Sequence, residues 1–439
     1  MSIFIEHFLE LPFLITELIV LFFICILFIY FSRKSLRKDF YLMFFIALVF
    51  KFIFFVGINI SLYTLSDSFA FEDDNTYYMV SQKVVDSWKK GNHIAAEKIN
   101  YKAAKNPGYY YVSALIMTIF GDNYYTTRLF NLFLSIIIGF FIYLIALKIY
   151  TRKEALISSF IFLLLPDLCF WSSTQFKDII TLLLTIMIFY YLFYSDKKRG
   201  ILLAILFLIP LSFIRFESVL LIAFTFFILQ IKFSYKSIAS IILFISLAIG
   251  FLYWKQDLFS SGLVVGLGKE AATFFDFRTL LNYNKKLESS GLISYAYMFS
   301  VYDLWKLPFS IFIILFTPFP PWLFQDNIAV SLLSFLSIPW LILVPYIFFG
   351  FISSSFQFFF RSEKTQRVKP ILIFSILYLV SLAIFLFTFS PLRHRIEIVP
   401  FLLLLSVPLI NKRKKFLKWL MIGSLNFVII GVIYAFFKM

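Results

Sequence analysis

Long apolar runs separated by short polar segments make up most of the 439-residue chain. A helix needs about 20 apolar residues to cross a bilayer, and runs such as "ELIVLFFICILFIYF" (17–31) are typical of such helices. Membrane β-strands would instead show alternating segments of about 10 residues. Because backbone polar groups find no partners in lipid, the runs are expected to be helical. The pattern predicts an all-α polytopic membrane protein.

The order of the apolar runs predicts about twelve transmembrane helices in a single integral membrane domain, 1–439, with both ends of the chain outside. They are expected near 11–31, 40–62, 124–149, 155–171, 178–195, 237–254, 328–352, 370–389, 396–411 and 418–437, with 200–231 forming a hairpin of two short helices broken at "RFE" (215–217). Two external segments follow from this order, 63–123 and 255–327. In the second, prolines interrupt the apolar run 307–324, which predicts a re-entrant or surface-lying element.

The net charge of +16 is concentrated in short basic clusters between the apolar runs. Short cytoplasmic loops of membrane proteins hold such clusters, so we interpret them as topology signals and not as a nucleic-acid surface. A phosphate-binding role is the alternative. The clusters are "RKSLRK" (33–38), "KIYTRK" (148–153), "DKKR" (196–199), "RSEKTQRVK" (361–369) and "NKRKKFLK" (411–418).

With these clusters inside, nearly all isolated charges fall on the external face. Charges at membrane depth are costly, and they usually mark function or a partnered structural site. The sequence therefore predicts one polar cavity on that face. The residues are Glu72, Asp73, Asp74, Lys105, Asp122, Arg128, Asp167, Lys177, Asp178, Arg215, Glu217, Arg393, His394, Arg395 and Glu397.

The first external loop carries two candidate elements. "FEDDNTYY" (71–78) is the densest acidic stretch, and the segment after it could lay one apolar helical face on the bilayer. A solvated acidic turn is the alternative. Further on, "KNPGYYYVSALIMTIFGDNYYTTR" (105–128) contains an apolar helix too short to cross. That helix would form a wall of the cavity and hold Lys105 at its mouth, or it would only cover the bundle.

A third element is "FSPLRHRIEIVP" (389–400), where Arg393 and Arg395 flank His394 on the external side against the usual charge preference. Guanidinium groups bind phosphate in a bidentate manner, so an anionic ligand explains their position. His394 could donate a further hydrogen bond to the phosphate. Pairing of the arginines with Glu397 or with the acidic triplet is the structural alternative.

These residues resemble a known family. "DDNTY" (73–77) resembles the Asp-Glu-x-x-Tyr signature of the GT-C glycosyltransferases, among them the protein O-mannosyltransferases and the lipid A aminoarabinose transferases. "KNPGYY" and "FGDNYYTTR" are similar to the juxtamembrane helix and next crossing of the latter. "FKD" (176–178), "PFPPW" (318–322) and "RHRIEIVPFLLLL" (393–405) resemble features of bacterial relatives. The resemblance covers roughly 65–410, with Asp74 in place of the usual Glu and one extra helix before the signature.

The resemblance implies a GT-C-like fold and an inverting hexosyl or pentosyl transfer. The donor would be a polyprenyl (undecaprenyl-type) phosphate sugar, and the acceptor a lipid, glycan or protein at the external face of a bacterial-type cytoplasmic membrane. Asp73 would be the general base, and Asp74 would orient the acceptor or Lys105. The donor phosphate would be held by Lys105, Arg393, Arg395 and His394. The cavity would be lined by Glu72, Tyr77, Tyr109, Asp178 and Arg215.

Beyond these substrates, membrane lipids are the expected partners, and no nucleic acid is expected. No cofactor is expected either, because the chain has no glycine-rich phosphate loop. A divalent metal lacks support, since no second acidic motif of the metal-dependent oligosaccharyltransferases is evident.

Two alternative functions remain at this point. A polysaccharide polymerase would not need the Asp-Asp element, and a lipid-linked oligosaccharide flippase would carry charges along a path through the bundle.

Overall fold

The structure is a computed structural model. The segments of the chain that it describes form a helical bundle. The described residues are 38–65, 70–92, 96–99, 107–195, 197–230, 306–316, 328–359, 363–385 and 394–410, with the single residues 418, 421 and 425. Every regular element within these segments is a helix. Helices predicted near 11–31, 237–254 and 418–437, and the external residues 255–304, lie outside the described segments, apart from the three single residues.

Fifteen helices follow one another along the described residues. They are α1 (Lys38–Leu65), α2 (Glu72–Lys89), α3 (Ala96–Ile99), α4 (Pro107–Phe120), α5 (Tyr124–Ile149), α6 (Arg152–Leu164), α7 (Pro166–Ser172), α8 (Asp178–Phe193), α9 (Lys197–Ile214), α10 (Phe216–Gln230), α11 (Leu307–Phe316), α12 (Ile328–Leu336), α13 (Ile338–Phe359), α14 (Glu363–Phe385) and α15 (Val399–Ile410).

Four helices are long and apolar enough to cross a membrane, and a bent pair makes a fifth candidate. The four candidate spans are Phe40–Leu62, Tyr124–Ile149, Ile338–Ser355 and Gln366–Ala383, and the bent pair is α6 with α7. Asp178–Phe193, Phe216–Leu229 and Val399–Pro408 are shorter apolar helices. These findings agree with a multi-pass helical membrane protein, although the described residues do not establish the predicted number of twelve.

Two helical features predicted from the sequence are confirmed. α5 has the predicted bounds, and Asn123 caps its start by accepting a hydrogen bond from the backbone N–H of Tyr125. An asparagine side chain at this position satisfies a backbone donor that has no partner in the helix. The break predicted at "RFE" within 200–231 is also present, because α9 ends and α10 begins on either side of Arg215, while the hairpin arrangement of the two helices stays a prediction.

Three features differ from the prediction. The helix expected at 155–171 is divided at Leu165, since Pro166 has no N–H to continue the helical ladder, and α6 and α7 meet at 60°. The helix expected at 328–352 is likewise divided, at Ser337. The acidic triplet does not precede the helical segment of the first external loop but forms the first turn of that helix, α2. Negative side chains are favourable there because the helix dipole is positive at its N-terminus.

The core of the described bundle lies around α5, whose membrane-crossing window is 72% buried. α5 packs against α6 and α8, α8 packs against α9, and α15 packs against α6 and α13. The outward faces of α1 and α9 are apolar, as Leu42, Ile53, Leu202 and Leu206 illustrate. Lipid is the natural neighbour of such faces in a membrane protein.

Small residues allow α13 and α15 to approach closely. A Cβ atom added at Gly350 would lie 2.5 Å from the backbone Cα of Ser406, a separation that neither helix can relieve by rotating a side chain. Membrane helices associate through such small-residue contacts because lipid gives no hydrophobic drive between them. Gly350 is therefore required at this crossing for steric reasons.

We expect Gly350→Ala to lower the free energy of unfolding by about 1–3 kcal/mol, because the added methyl group forces α13 away from α15. Thermal unfolding in detergent would measure the loss. Gly57→Ala is the matched control, since a Cβ on that helical glycine meets no atom within 4 Å. Equal melting temperatures for the two variants would contradict the steric requirement at Gly350.

Candidate active site

A buried ion pair fixes the N-terminal turn of α2 to the bundle. Asp74 Oδ2 lies 2.9 Å from Arg128 Nη2, and both side chains are fully buried. Arg128 Nη1 also donates to Asn59 Oδ1 at 2.7 Å. The backbone N–H groups of Ala70 and Gln175 donate to the two carboxylate oxygens of Asp74, at 3.1 and 2.9 Å. The ion pair thereby joins α1, α2, α5 and the loop 173–177.

Asp73 precedes this anchor by one position on the same helix. Successive residues of an α-helix project about 100° apart, so Asp73 and Asp74 face different directions. Asp74 is enclosed, whereas Asp73 is only partly buried. The structure thus separates the two carboxylates by environment, while their catalytic roles stay predictions. Glu72 begins α2, but its side chain lies outside the described part of the site.

Aromatic side chains pack together beside the acidic turn. The Tyr77 ring lies 4.8 Å from the Tyr109 ring, 5.2 Å from Tyr110 and 6.3 Å from Phe176, measured between centroids. The two tyrosines predicted to line the cavity are therefore in contact. Burial raises the pKa of Tyr109 well above its ordinary value, so its phenol stays protonated at neutral pH.

The loop 173–177 is held in place by its carbonyl groups. The Asn131 side chain donates to the carbonyls of Thr174 and Phe176 at 2.9 and 3.1 Å. The Asn59 amide donates to the carbonyl of Ser173 at 3.3 Å. Because these bonds use backbone oxygens, they hold the loop without engaging the side chains of Gln175 and Lys177.

Two side chains of this loop form no hydrogen bond or ion pair among the described residues, and in Gln175 both polar atoms are also buried. Gln175 is fully buried, and neither its amide nitrogen nor its amide oxygen makes a hydrogen bond there. Lys177 is 9% exposed and forms no ion pair within the same part of the chain. A buried polar group without a partner costs about 1–3 kcal/mol, and such groups are concentrated where a ligand binds or strain is stored.

A second charged centre begins at the next residue. Arg215, at the break between α9 and α10, contacts Asp178 Oδ1 at 3.2 Å, Glu397, and His394 Nδ1 at 2.6 Å. The Ser218 hydroxyl donates to the second oxygen of Glu397 at 3.2 Å. Burial raises the pKa of Glu397 to about 7; Arg215 opposes this and Asp178 adds to it. Two carboxylates therefore share one guanidinium group.

Arg395 belongs to a third ion pair. Its Nη2 lies 2.9 Å from Asp167 Oδ2, its Nη1 donates to the Leu315 carbonyl at 3.4 Å, and its guanidinium lies 4.9 Å from the Trp340 ring centroid. The sequence left a structural pairing open, with Glu397 or the acidic triplet as the partner. The observed partner of Arg395 is Asp167 instead, and Glu397 pairs with Arg215.

The described residues thus place most of the predicted site residues in two neighbouring centres. Asp74, Tyr77 and Tyr109 belong to the first, and Asp178, Arg215 and His394 to the second. The segment 175–178 links them, because Gln175 binds Asp74 and Asp178 binds Arg215. Lys105 and Arg393 lie outside the described residues.

Several residues of this network were not chosen as site residues from the sequence. Arg128, Lys177 and Glu397 were visible as isolated charges on the predicted external face, so charge was the available signal. Asn131 and Gln175 gave no comparable signal, because a single amide beside an apolar run does not reveal its partner.

A metal site would need several ligating side chains close together. No group of three or more His, Cys, Asp or Glu side chains arranged to hold an ion occurs in the described segments.

Residues 104–254 match the sequence model of the dolichyl-phosphate-mannose-protein mannosyltransferase family, which belongs to the GT-C superfamily. The match spans about a third of the chain and includes α4 to α10 with the loop 173–177. The resemblance to GT-C enzymes is thereby confirmed over these residues, and the family match implies a membrane glycosyltransferase of the GT-C type. A comparison with individual curated proteins finds no match.

We expect Arg128→Gln to lower the free energy of unfolding by about 3–5 kcal/mol, because it leaves the Asp74 carboxylate buried without its cation. Lys89→Gln is the matched control. It removes the cation of an exposed pair with Asp122 at 3.4 Å, which contributes about 0–1 kcal/mol. The free energy of unfolding of both variants would be measured in mixed micelles. Equal losses would show that the buried pair stabilises the fold no more than the surface pair does.

Proposed function

We propose that this membrane glycosyltransferase transfers a sugar from a polyprenyl phosphate to an acceptor at the external face of the membrane, with inversion at the anomeric carbon. The observation that carries the proposal is Lys177. It is a nearly buried cation without an ion partner among the described residues, next in sequence to Asp178 and two residues from Gln175. A lipid-linked phosphate is a natural counter-ion for such a group.

The proposed reaction is a single displacement. An acceptor hydroxyl oxygen attacks C1 of the sugar from the face opposite the phosphate, so that the new O–C1 bond forms as the C1–O–phosphate bond breaks. The hydroxyl proton passes to Asp73. The electron pair of the broken bond leaves with the polyprenyl phosphate, whose negative charge therefore increases by one.

Asp73 is the better base of the acidic pair. Asp74 is already bound by Arg128 and by two backbone N–H groups, so all its strong contacts serve to fix α2. Asp73 extends from the same fixed turn in another direction and is only partly buried. A general base must be held rigidly yet be reachable, and this arrangement supplies both conditions.

Lys177 is the described residue best placed to stabilise the leaving phosphate. The guanidinium of Arg395 is already bound by Asp167, which supports a positioning role for that residue. Arg215 is bound by Asp178 and Glu397. Preorganised cations at a site of developing charge are among the largest contributions to catalysis. Lys105, Arg393 and His394 remain the predicted additional phosphate ligands.

The carboxyl-to-amide change Asp73→Asn should abolish transfer, because the amide cannot take the acceptor proton, while the protein still folds. The assay is transfer from defined polyprenyl-phosphate sugars to membrane extracts, with mass spectrometry of the product. Asp86→Asn is the matched control, since Asp86 lies exposed on the same helix. Transfer by Asp73→Asn at the wild-type rate would eliminate Asp73 as the base.

Replacement of Lys177 by Gln should lower kcat by about 10²-fold, because the leaving phosphate loses a preorganised cation. Lys177→Arg should restore part of the rate. The exposed Lys83 on α2 provides the control Lys83→Gln. A purely structural role would instead lower the melting temperature and leave kcat per folded molecule unchanged, and that result would remove Lys177 from the phosphate site.

A further inference from the structure

A second candidate binding site lies at the opposite end of α5 from the Asp74–Arg128 pair. Arg128 and Lys148 are 20 residues apart on this helix, which corresponds to about 30 Å at 1.5 Å per residue. That length equals the thickness of the hydrocarbon core of a bilayer. Lys148 therefore lies at the other membrane interface. A ligand bound there would not depend on the proposed function.

A cavity of about 450 Å³ is found at this end, where α5, α8 and α14 meet. Its lining is part apolar, from Phe193 and Pro370, and part cationic or polar, from Lys148, Arg367, Gln366 and Tyr194. A ligand with a charged head and an adjoining apolar portion matches such a lining.

Hydrogen bonds hold the walls of this cavity together. The Tyr194 hydroxyl donates to the Arg367 carbonyl at 2.8 Å, and Arg367 Nη1 donates to the Lys148 carbonyl at 2.8 Å. These bonds connect the ends of α5 and α8 to the first turns of α14. The cationic groups are thus carried on segments fixed to one another.

The surface around the cavity is strongly basic. In the described helices near it, the acidic residues are Glu154 and Glu363. Glu154 is used in the cap of α6, where it accepts from the Thr151 backbone N–H, and Glu363 begins α14. The neighbouring cationic residues are Arg152, Lys153, Lys198, Arg199 and Lys369. An anion is therefore attracted to this face, and the cavity gives it a defined place.

The occupant best matched to these features is a lipid. Next to α8, helix α9 presents the exposed apolar side chains Ile201, Leu202, Ile205 and Leu206, which are suited to acyl chains. Basic pockets between membrane helices bind anionic lipid headgroups. We propose that the cavity lined by Lys148, Tyr194 and Arg367 binds the headgroup of an anionic phospholipid from the adjacent leaflet.

The test uses the purified, delipidated full-length protein and native mass spectrometry with phosphatidylglycerol or phosphatidylcholine of identical acyl chains. Wild type should bind phosphatidylglycerol about tenfold more tightly, and Lys148→Gln with Arg367→Gln should remove most of that difference. The double variant Lys198→Gln with Arg199→Gln is the matched control, because it removes the same charge from residues that do not line the cavity. It should change the affinity by less than about threefold.

Three results would overturn the proposal. Equal binding of the two lipids would show no headgroup recognition, and an equal loss in the control variant would indicate only a diffuse basic surface. Competition by free glycerol phosphate at the same concentration would identify a soluble anion as the occupant. If the Arg367 variant fails to fold, Lys148→Gln alone provides the test. The Lys148 side chain is exposed, and Arg367 binds the backbone carbonyl of Lys148, which this substitution keeps.

Discussion

The buried ion pair between Asp74 and Arg128 is the interaction on which the rest of the candidate site depends. Two charges removed from water are tolerated only when they are paired and their remaining hydrogen-bonding positions are satisfied. Asn59 and the backbone N–H groups of Ala70 and Gln175 supply those contacts. Because the contacts come from separate segments, the requirement to satisfy one carboxylate fixes the acidic turn, the loop 173–177 and the start of α5 together.

This anchoring explains how one acidic triplet can serve two purposes. A carboxylate bound on both oxygens positions the helix, and its neighbour, the proposed base, lies on a different face of the same helix and is only partly buried. The loop shows the same division, since its carbonyls are held by Asn131 while the side chains of Gln175 and Lys177 form no hydrogen bond or ion pair in the described bundle. Under the proposed function, support and chemistry are carried by adjacent residues, so that few polar positions provide both.

The sequence predicted helices well and pairings poorly, for different physical reasons. The bounds of α5 follow from one long apolar run with a capping asparagine at its start, both of which are local features. The division at Leu165 was also available locally, through Pro166, but the apolar run concealed it. Arg395 was recognised as unusual, yet its partner Asp167 is 228 positions away in the sequence. Charge position identifies which residues need partners, whereas the choice of partner depends on packing that no local pattern encodes.

The 60° bend between α6 and α7 affects the depth at which the site lies. α6 has 13 residues and α7 has seven, so together they rise roughly 25 Å if α6 is perpendicular to the membrane. This is less than the hydrocarbon thickness of about 30 Å. With α6 in that orientation, the chain turns back before it has crossed the hydrocarbon core, and the loop that follows lies slightly below the surface. At that level, the proposed lipid-linked donor would not have to be drawn out of the bilayer.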